Sequence, residues 1–209
     1  MSRYPTGNKT VLQMIDSGTF DAALAEVLLN GVDLNAPICD LSGYSTTYLY
    51  EAVSNNNLQA VAFLLEHGAD PNLNIPELIR DCALWQLQFL DIGQDWQTRY
   101  EISKLFFQYG ANPNIKCDGE SLYDDVVYEV YNELPSDDGW RENLLHFYKL
   151  LVVFGGGTEE GEYGKPCLKN VDPSKVDEYE ICFNQRISLK QFICQLHVSV
   201  PYFVSPHSE

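Results

Sequence analysis

Apolar residues along the first three-quarters of the chain fall into short amphipathic stretches, each closed by a glycine. With Gly31, Gly68, Gly110 and Gly155 as phase markers, an apolar pair stands four and three residues earlier: Val27-Leu28, Leu64-Leu65, Phe106-Phe107 and Leu151-Val152. Beyond the first three glycines the strings read GVDLN, GADPN and GANPN; the fourth, GGGTE, keeps only the glycine. Each part has a mechanical reason. The apolar pair ends a helix on its buried face. The glycine takes the left-handed backbone that closes the helix, where a side chain would clash. The Asp and Asn residues then turn the chain through side-chain-to-backbone hydrogen bonds, and Pro71 and Pro113 keep the helix from resuming. The pattern predicts a repeated helix-turn-helix unit whose apolar pairs form one continuous buried stripe.

The second unit is the most complete. A turn at Ser42-Gly43 precedes Thr47-Tyr48-Leu49-Tyr50-Glu51-Ala52, an Asn-rich break covers Asn55-Asn56-Asn57, and a second helix runs from Leu58 to the exit Gly68-Ala69-Asp70-Pro71-Asn72. These residues resemble the ankyrin repeat. The helix-opening T-P-L-H-x-A of that family is met by Thr47, Leu49 and Ala52, with Tyr48 in place of proline and Tyr50 in place of histidine. The resemblance implies an all-α fold, an ankyrin-repeat solenoid of about four helix-turn-helix units. It also implies non-catalytic binding of other proteins through hairpin tips and the concave face of the first helices.

The array is expected over residues 1–157, with units at 8–35, 36–72, 73–114 and 115–157. Unit one keeps Thr10-Val11-Leu12 and a second helix from Phe20 to Asn30. Unit three shows apolar residues at helical spacing between Glu77 and Leu90 (Leu78, Cys82, Trp85, Phe89), then a second helix and exit from Tyr100 to Asn114. Unit four opens at Asp118-Gly119-Glu120-Ser121-Leu122, continues through Val126, Val127, Val130 and Tyr131, and has its second helix at Trp140 to Phe154. The marker glycines stand 37, 42 and 45 residues apart, against about 33 in the family. The extra residues fall between paired helices, at Asp91 to Asp95 and Glu133 to Gly139. Residues 158–164 read as an acidic linker. The β-prone runs Tyr179 to Phe183 and Phe192 to Val200 make 165–209 a C-terminal cap, a small α/β element or β-hairpin.

Composition narrows the chemistry. The 209 residues are 45% hydrophobic and 21% charged, which fits a soluble globular chain and excludes a disordered one. No apolar run approaches the roughly 18 residues of a membrane span, and no secretory signal is evident; the expectation is a cytoplasmic protein with no membrane partner. The net charge of −17 disfavours a nucleic-acid partner, because phosphate binding needs a basic footprint. The six cysteines contain no C-x-x-C and read as reduced thiols. Cys194 and His197 are the one close Cys/His pair, and a metal- or ligand-binding role for the segment holding Cys182, Cys194 and His197 is the least favoured reading. No cofactor or metal is expected.

Nor does the sequence carry an enzyme signature. His67 stands before a helix-closing glycine, His146 has no acid or serine partner at a meaningful spacing, and His207 lies in the tail. Gly155-Gly156-Gly157 is not followed by Lys-Ser/Thr, so it is not a phosphate loop. Asp124-Asp125 and Asp137-Asp138 are adjacent carboxylates, which point apart on a helix.

The charge distribution is more informative. Residues 116–165 carry a net −8, as do residues 1–115, so unit four and the linker are over twice as dense in negative charge. Solubility alone would favour such acidity. Charge complementarity to a basic protein would use it to raise the association rate. Aromatic residues among the acids supply candidate contacts. The expected partner-binding residues are Tyr44, Tyr50, Glu51, Tyr123, Asp124, Asp125, Asp137, Asp138 and Trp140. An immunity or inhibitor protein that binds a basic toxin or nuclease is the leading expectation; a general scaffold or adaptor is the alternative.

Overall fold

Each of five helices begins where a short polar side chain takes up backbone N–H groups that a first turn leaves without partners. Asn8 accepts from the amides of Thr10 and Val11 to open α1 (Lys9–Asp16), and Asp21 accepts from Leu24 to open α2 (Ala22–Leu28). Thr47 opens α3 (Tyr48–Ser54) through Tyr50, and Asn57 opens α4 (Leu58–Glu66) through Ala60. Asp95 accepts from both Gln97 and Thr98 at the head of α6 (Trp96–Gln108). Between α4 and α6 lies the single-turn α5 (Ala83–Gln86); α7 (Leu122–Asn132) and α8 (Asp138–Val153) complete the order. The computed structural model describes residues 3–75, 82–91, 93–117, 119–132 and 138–153. The expected linker and C-terminal cap, and the Cys182, Cys194 and His197 cluster, lie outside the described residues.

Two antiparallel ladders add strand to what the sequence presents as purely helical. β1 (Ile38–Cys39) pairs with β2 (Ser45–Thr46) in the register Ile38 to Thr46, and β3 (Lys116–Cys117) pairs with β4 (Glu120–Ser121) in the register Lys116 to Ser121. Each is a hairpin placed just ahead of a first helix. Their strands are two residues long because the following helix starts at once.

Helices one unit apart lie side by side. The first helices α1, α3 and α5 pack in sequence, as do the second helices α2, α4, α6 and α8, and α3 packs on α4 and α7 on α8 within their units. One core runs between the rows, from Val11 and Ile15 through Leu49, Leu64 and Phe106 to Leu144 and Leu151. Gly68 and Gly110 close their helices at φ of +92° and +85°, the left-handed region the repeat pattern calls for.

The apolar pairs Leu64-Leu65 and Phe106-Phe107 are buried, and so is Leu151. Val27 is a correction: it is 73% exposed. The reason is a one-residue slip. His67 and Tyr109 cap their helices immediately before the glycine, whereas α2 ends at its cap Leu29, and Asn30 intervenes before Gly31. One residue is about 100° of helix rotation. The buried positions of α2 are therefore Ala25 and Leu29, with Leu28 half-buried.

Unit three departs in another way. Its second helix starts at Trp96, four residues before the expected Tyr100, so α6 has 13 residues where α4 has 9. The extra length is helix as well as loop. Its first helix is reduced to Ala83–Gln86, and Leu78 lies outside the described residues. A fully buried arginine holds the resulting junction. Arg99 donates from Nη1 to the Val53 carbonyl at 2.6 Å and from Nη2 to Gln94 Oε1, and Gln94 in turn donates to the Ser54 carbonyl. Burial pulls its pKa down to about 10, opposed by the nearby Asp91 charge; the guanidinium stays charged at neutral pH.

Candidate protein-binding surface

Exit loops and hairpins meet along one edge, where asparagines tie each unit to the next. Asn35 donates to the Gly68 carbonyl at 3.2 Å and accepts from the Asp70 amide at 2.8 Å. Asn72 repeats the pair one unit on, donating to Gly110 at 3.0 Å and accepting from Asn112 at 2.5 Å. The Asp residues two positions before these asparagines shape the loops, since Asp33 and Asp70 accept from the amides of Asn35 and Asn72. Asn74 extends the series by donating to the Lys116 carbonyl at 2.8 Å.

Tyr44 sits on the first hairpin tip, 57% exposed, with Leu41 beside it at 45%. Asp40, buried at the base, accepts from the amides of Ser42 and Tyr44 at 2.8 Å each and fixes the turn. Tyr44 is among the residues expected to bind a partner; Leu41, which no repeat motif marks, flanks the same Ser42-Gly43 turn.

The first helices carry the next group. Tyr50 and Glu51 are half-buried on α3, and the Tyr50 hydroxyl donates to Gln86 Oε1 of α5 at 3.2 Å. Two residues past α5, Gln88 donates to Asp125 Oδ2 of α7 at 2.7 Å. Gln86 and Gln88, which no repeat motif marks, thus connect Tyr50 of unit two to Asp125 of unit four. Asp124 and Asp125 are half-buried in the first turn of α7, where negative charge also favours the helix N-terminus.

Tyr123 is a correction. It is 3% exposed, its ring lies 5.9 Å from that of Tyr148, and burial raises its pKa. Its side chain is core, facing α8, because in α7 the position after Leu122 turns inward. Trp140 is half-buried against the same core. Asp138 opens α8, and Asp137 lies outside the described residues.

The histidines have structural settings. His146 is buried and stacks on Trp96 with ring centroids 4.8 Å apart, at the base of a cleft of about 430 Å³ shared with Leu58, Tyr100 and Glu101. His67 places Nδ1 2.7 Å from the Phe63 carbonyl and Nε2 2.6 Å from Glu26 Oε2. Two acceptors on two ring nitrogens favour the imidazolium, and the pKa is raised, chiefly by the Phe63 carbonyl and further by Glu26. The pair joins α4 to α2.

Cys39, Cys82 and Cys117 are buried and form no disulfide with one another. Among the described residues no three His, Cys, Asp or Glu side chains group as a metal site, and no helix is long and apolar enough to cross a membrane.

Residues 46–75, from β2 through α3 and α4 to the Asn72 exit, match the family model of the ankyrin repeat. The chain carries an ankyrin repeat. The ankyrin repeat is a module that mediates binding to other proteins, and the match supports a protein-protein interaction role in general terms. Thr47, Tyr50, Glu51 and Asn72 all fall within the matched ankyrin unit.

Proposed function

We propose that this ankyrin repeat protein binds a basic protein through an acidic, tyrosine-bearing strip that runs from the Tyr44 tip along the first helices to Asp124 and Asp125. The observation that carries the reading is the pair of hydrogen bonds Tyr50 to Gln86 and Gln88 to Asp125, which ties α3 to α5 and the segment after α5 to α7, so that the residues of these helices hold fixed positions relative to one another. Carboxylates at Glu51, Asp124 and Asp125, on a chain of net charge −17, favour a positively charged partner and speed its approach. The exposed Tyr44 ring and Leu41 supply the apolar contact that holds it.

The specific reading is an immunity or inhibitor protein in the cytoplasm that neutralises a basic toxin, such as a nuclease whose cleft attracts polyanions. It acts by occupancy and needs no cofactor. The four units at 8–35, 36–72, 73–114 and 115–157 form a solenoid, and 165–209 cap it behind the linker at 158–164. The test is capture from the native host with the purified chain, followed by an activity assay of the captured protein. A basic toxin or nuclease that loses activity on binding supports the reading. A captured protein that is basic but unaffected in activity leaves an adaptor, and an acidic or neutral one overturns the charge argument.

A further inference from the structure

Counted back from the closing glycines Gly68 and Gly110, Leu58 of α4 corresponds to Tyr100 of α6, so Trp96–Arg99 is a turn of helix that unit two does not have. The inner side of that added turn is the buried Arg99. Its outer side opens the cleft of about 430 Å³, lined by Trp96, Gln97, Tyr100 and Glu101 of α6, Leu58 of α4 and His146 of α8. Aromatic rings meet there. His146 stacks on Trp96 at 4.8 Å and within 12° of parallel, and its ring lies 4.8 Å from that of Tyr100. Trp96 is half-buried, so its indole is within reach of solvent. Two exposed carboxylates, Asp95 and Glu101, stand at the same cleft.

We infer that this cleft takes an arginine side chain of a partner protein, its guanidinium against the aromatic rings and within reach of Asp95 and Glu101. An anion is disfavoured even though a helix begins here. The first-turn amides of Gln97 and Thr98 already donate to Asp95, and so does the Thr98 hydroxyl at 2.8 Å. The Thr98 hydroxyl and these amides hold the Asp95 carboxyl below its ordinary pKa, so it stays charged. They leave it about one acceptor site of four. The chain's own Lys104 shows what suits such a rim: its ammonium lies 5.4 Å from the centroid of the Tyr100 ring and 3.5 Å from Glu101, one cation shared by a ring and a carboxylate. Arginine fits the cleft better than lysine. A planar guanidinium stacks on an indole while donating from its edge to carboxylates, whereas an ammonium is a strongly hydrated point charge. The volume is that of a small-ligand pocket, enough for one long side chain. The site lies on the second helices, apart from the acidic strip. As a docking point it rests on the proposal of a basic partner, but its chemistry is testable without one.

The experiment follows the indole N–H resonances of Trp85, Trp96 and Trp140 by NMR in the full, isotope-labelled chain, with Trp96→Phe assigning its own signal. The probe is N-acetyl-arginine amide at up to about 50 mM, since a single side chain binds in the millimolar range. The lysine and citrulline analogues are the controls. The arginine probe is expected to shift the Trp96 resonance to saturation. The citrulline analogue, which keeps the shape and loses the charge, leaves it in place. Glu101→Gln, at an exposed position, weakens arginine binding about threefold, the effect of one exposed charge pair. No saturable shift of Trp96 overturns the inference. So does an equal response to citrulline, which makes the cleft merely apolar, or to lysine, which makes it a general cation site. Failure here leaves the acidic strip untouched. Failure of the strip, read from capture and from the Asp124 and Asp125 variants, leaves the response of Trp96 to the probe unchanged.

Discussion

Arg99 of α6 and Val53 of α3 are joined at 2.6 Å by a guanidinium donating to a carbonyl near the end of the neighbouring unit's first helix. The bond lies in a fully buried setting, so both its loss and the void left behind are felt. Arg99→Ala is expected to lower unfolding free energy by about 2–5 kcal/mol, as buried truncations do. Arg99→Met, which fills the volume without the charge, loses distinctly less, because the cost of burying an ion also goes. Urea unfolding of the two variants checks the order; equal losses would mean that the guanidinium contributes only its bulk.

Leu65 tests the repeat packing itself. It is 3% exposed in the continuous core. Leu65→Ala should cost about 2–5 kcal/mol, whereas Val27→Ala should lie within about 0.5 kcal/mol of wild type, as for surface changes. Thermal melts of both distinguish the slipped register of α2 from the one its glycine suggests.

Asn72 is half-buried and makes two bonds across units, to Gly110 and Asn112. Asn72→Ala should cost about 1–2 kcal/mol. Asn72→Asp keeps the acceptor and loses the donor, setting a carboxylate against the Gly110 carbonyl. Chemical denaturation should rank wild type above both variants.

The His67 and Glu26 pair has a pH signature. The folded pKa of His67 is raised, so the folded state binds more protons than the unfolded one above the ordinary histidine value. Its contribution is complete below about pH 6.5 and is lost as pH rises through the folded value. The ring is more than a third exposed, so the increment is below about 1 kcal/mol. Melting temperatures from pH 5.5 to 8.5 should fall slightly more for wild type than for Glu26→Gln.

Neutralising Asp124, Asp125, Asp137 and Asp138 together should slow association with a basic partner and flatten its salt dependence. Tyr44→Ala should instead speed dissociation, since an exposed ring on a fixed turn acts through contact. Stopped-flow binding at low and moderate salt separates them. An unchanged association rate for the neutralised chain would leave its acidity to solubility.

Local signals in the sequence carried much of this fold. Thr47 and Asn57 cap the helices that follow them and Gly68 closes the one before it, so the helices of the second unit could be read residue by residue. The register of α2 could not, because the shift depends on where the helix stops before Asn30, and the glycine marks the loop rather than the stop. A tyrosine flanked by Asp124 looks exposed in the sequence; only the packing of α8, with Tyr148, turns Tyr123 inward. Gln86 and Gln88 left no signal at all. Their role depends on the neighbouring units, and glutamine has no strong preference that would mark it.

The asparagine ladder has a direction. Asn35 reaches forward to Asp70, and Asn72 reaches forward to Asn112. The amide hydrogens of Asp70 and Asn112 therefore sit in exposed loops but are shielded by the preceding unit. Their exchange with solvent reports whether that neighbour is folded, not whether their own helix is. The same polarity matches synthesis, which delivers the N-terminal units first. Each completed unit leaves a donor and an acceptor waiting at its edge, a template on which the next exit loop takes its shape as it emerges.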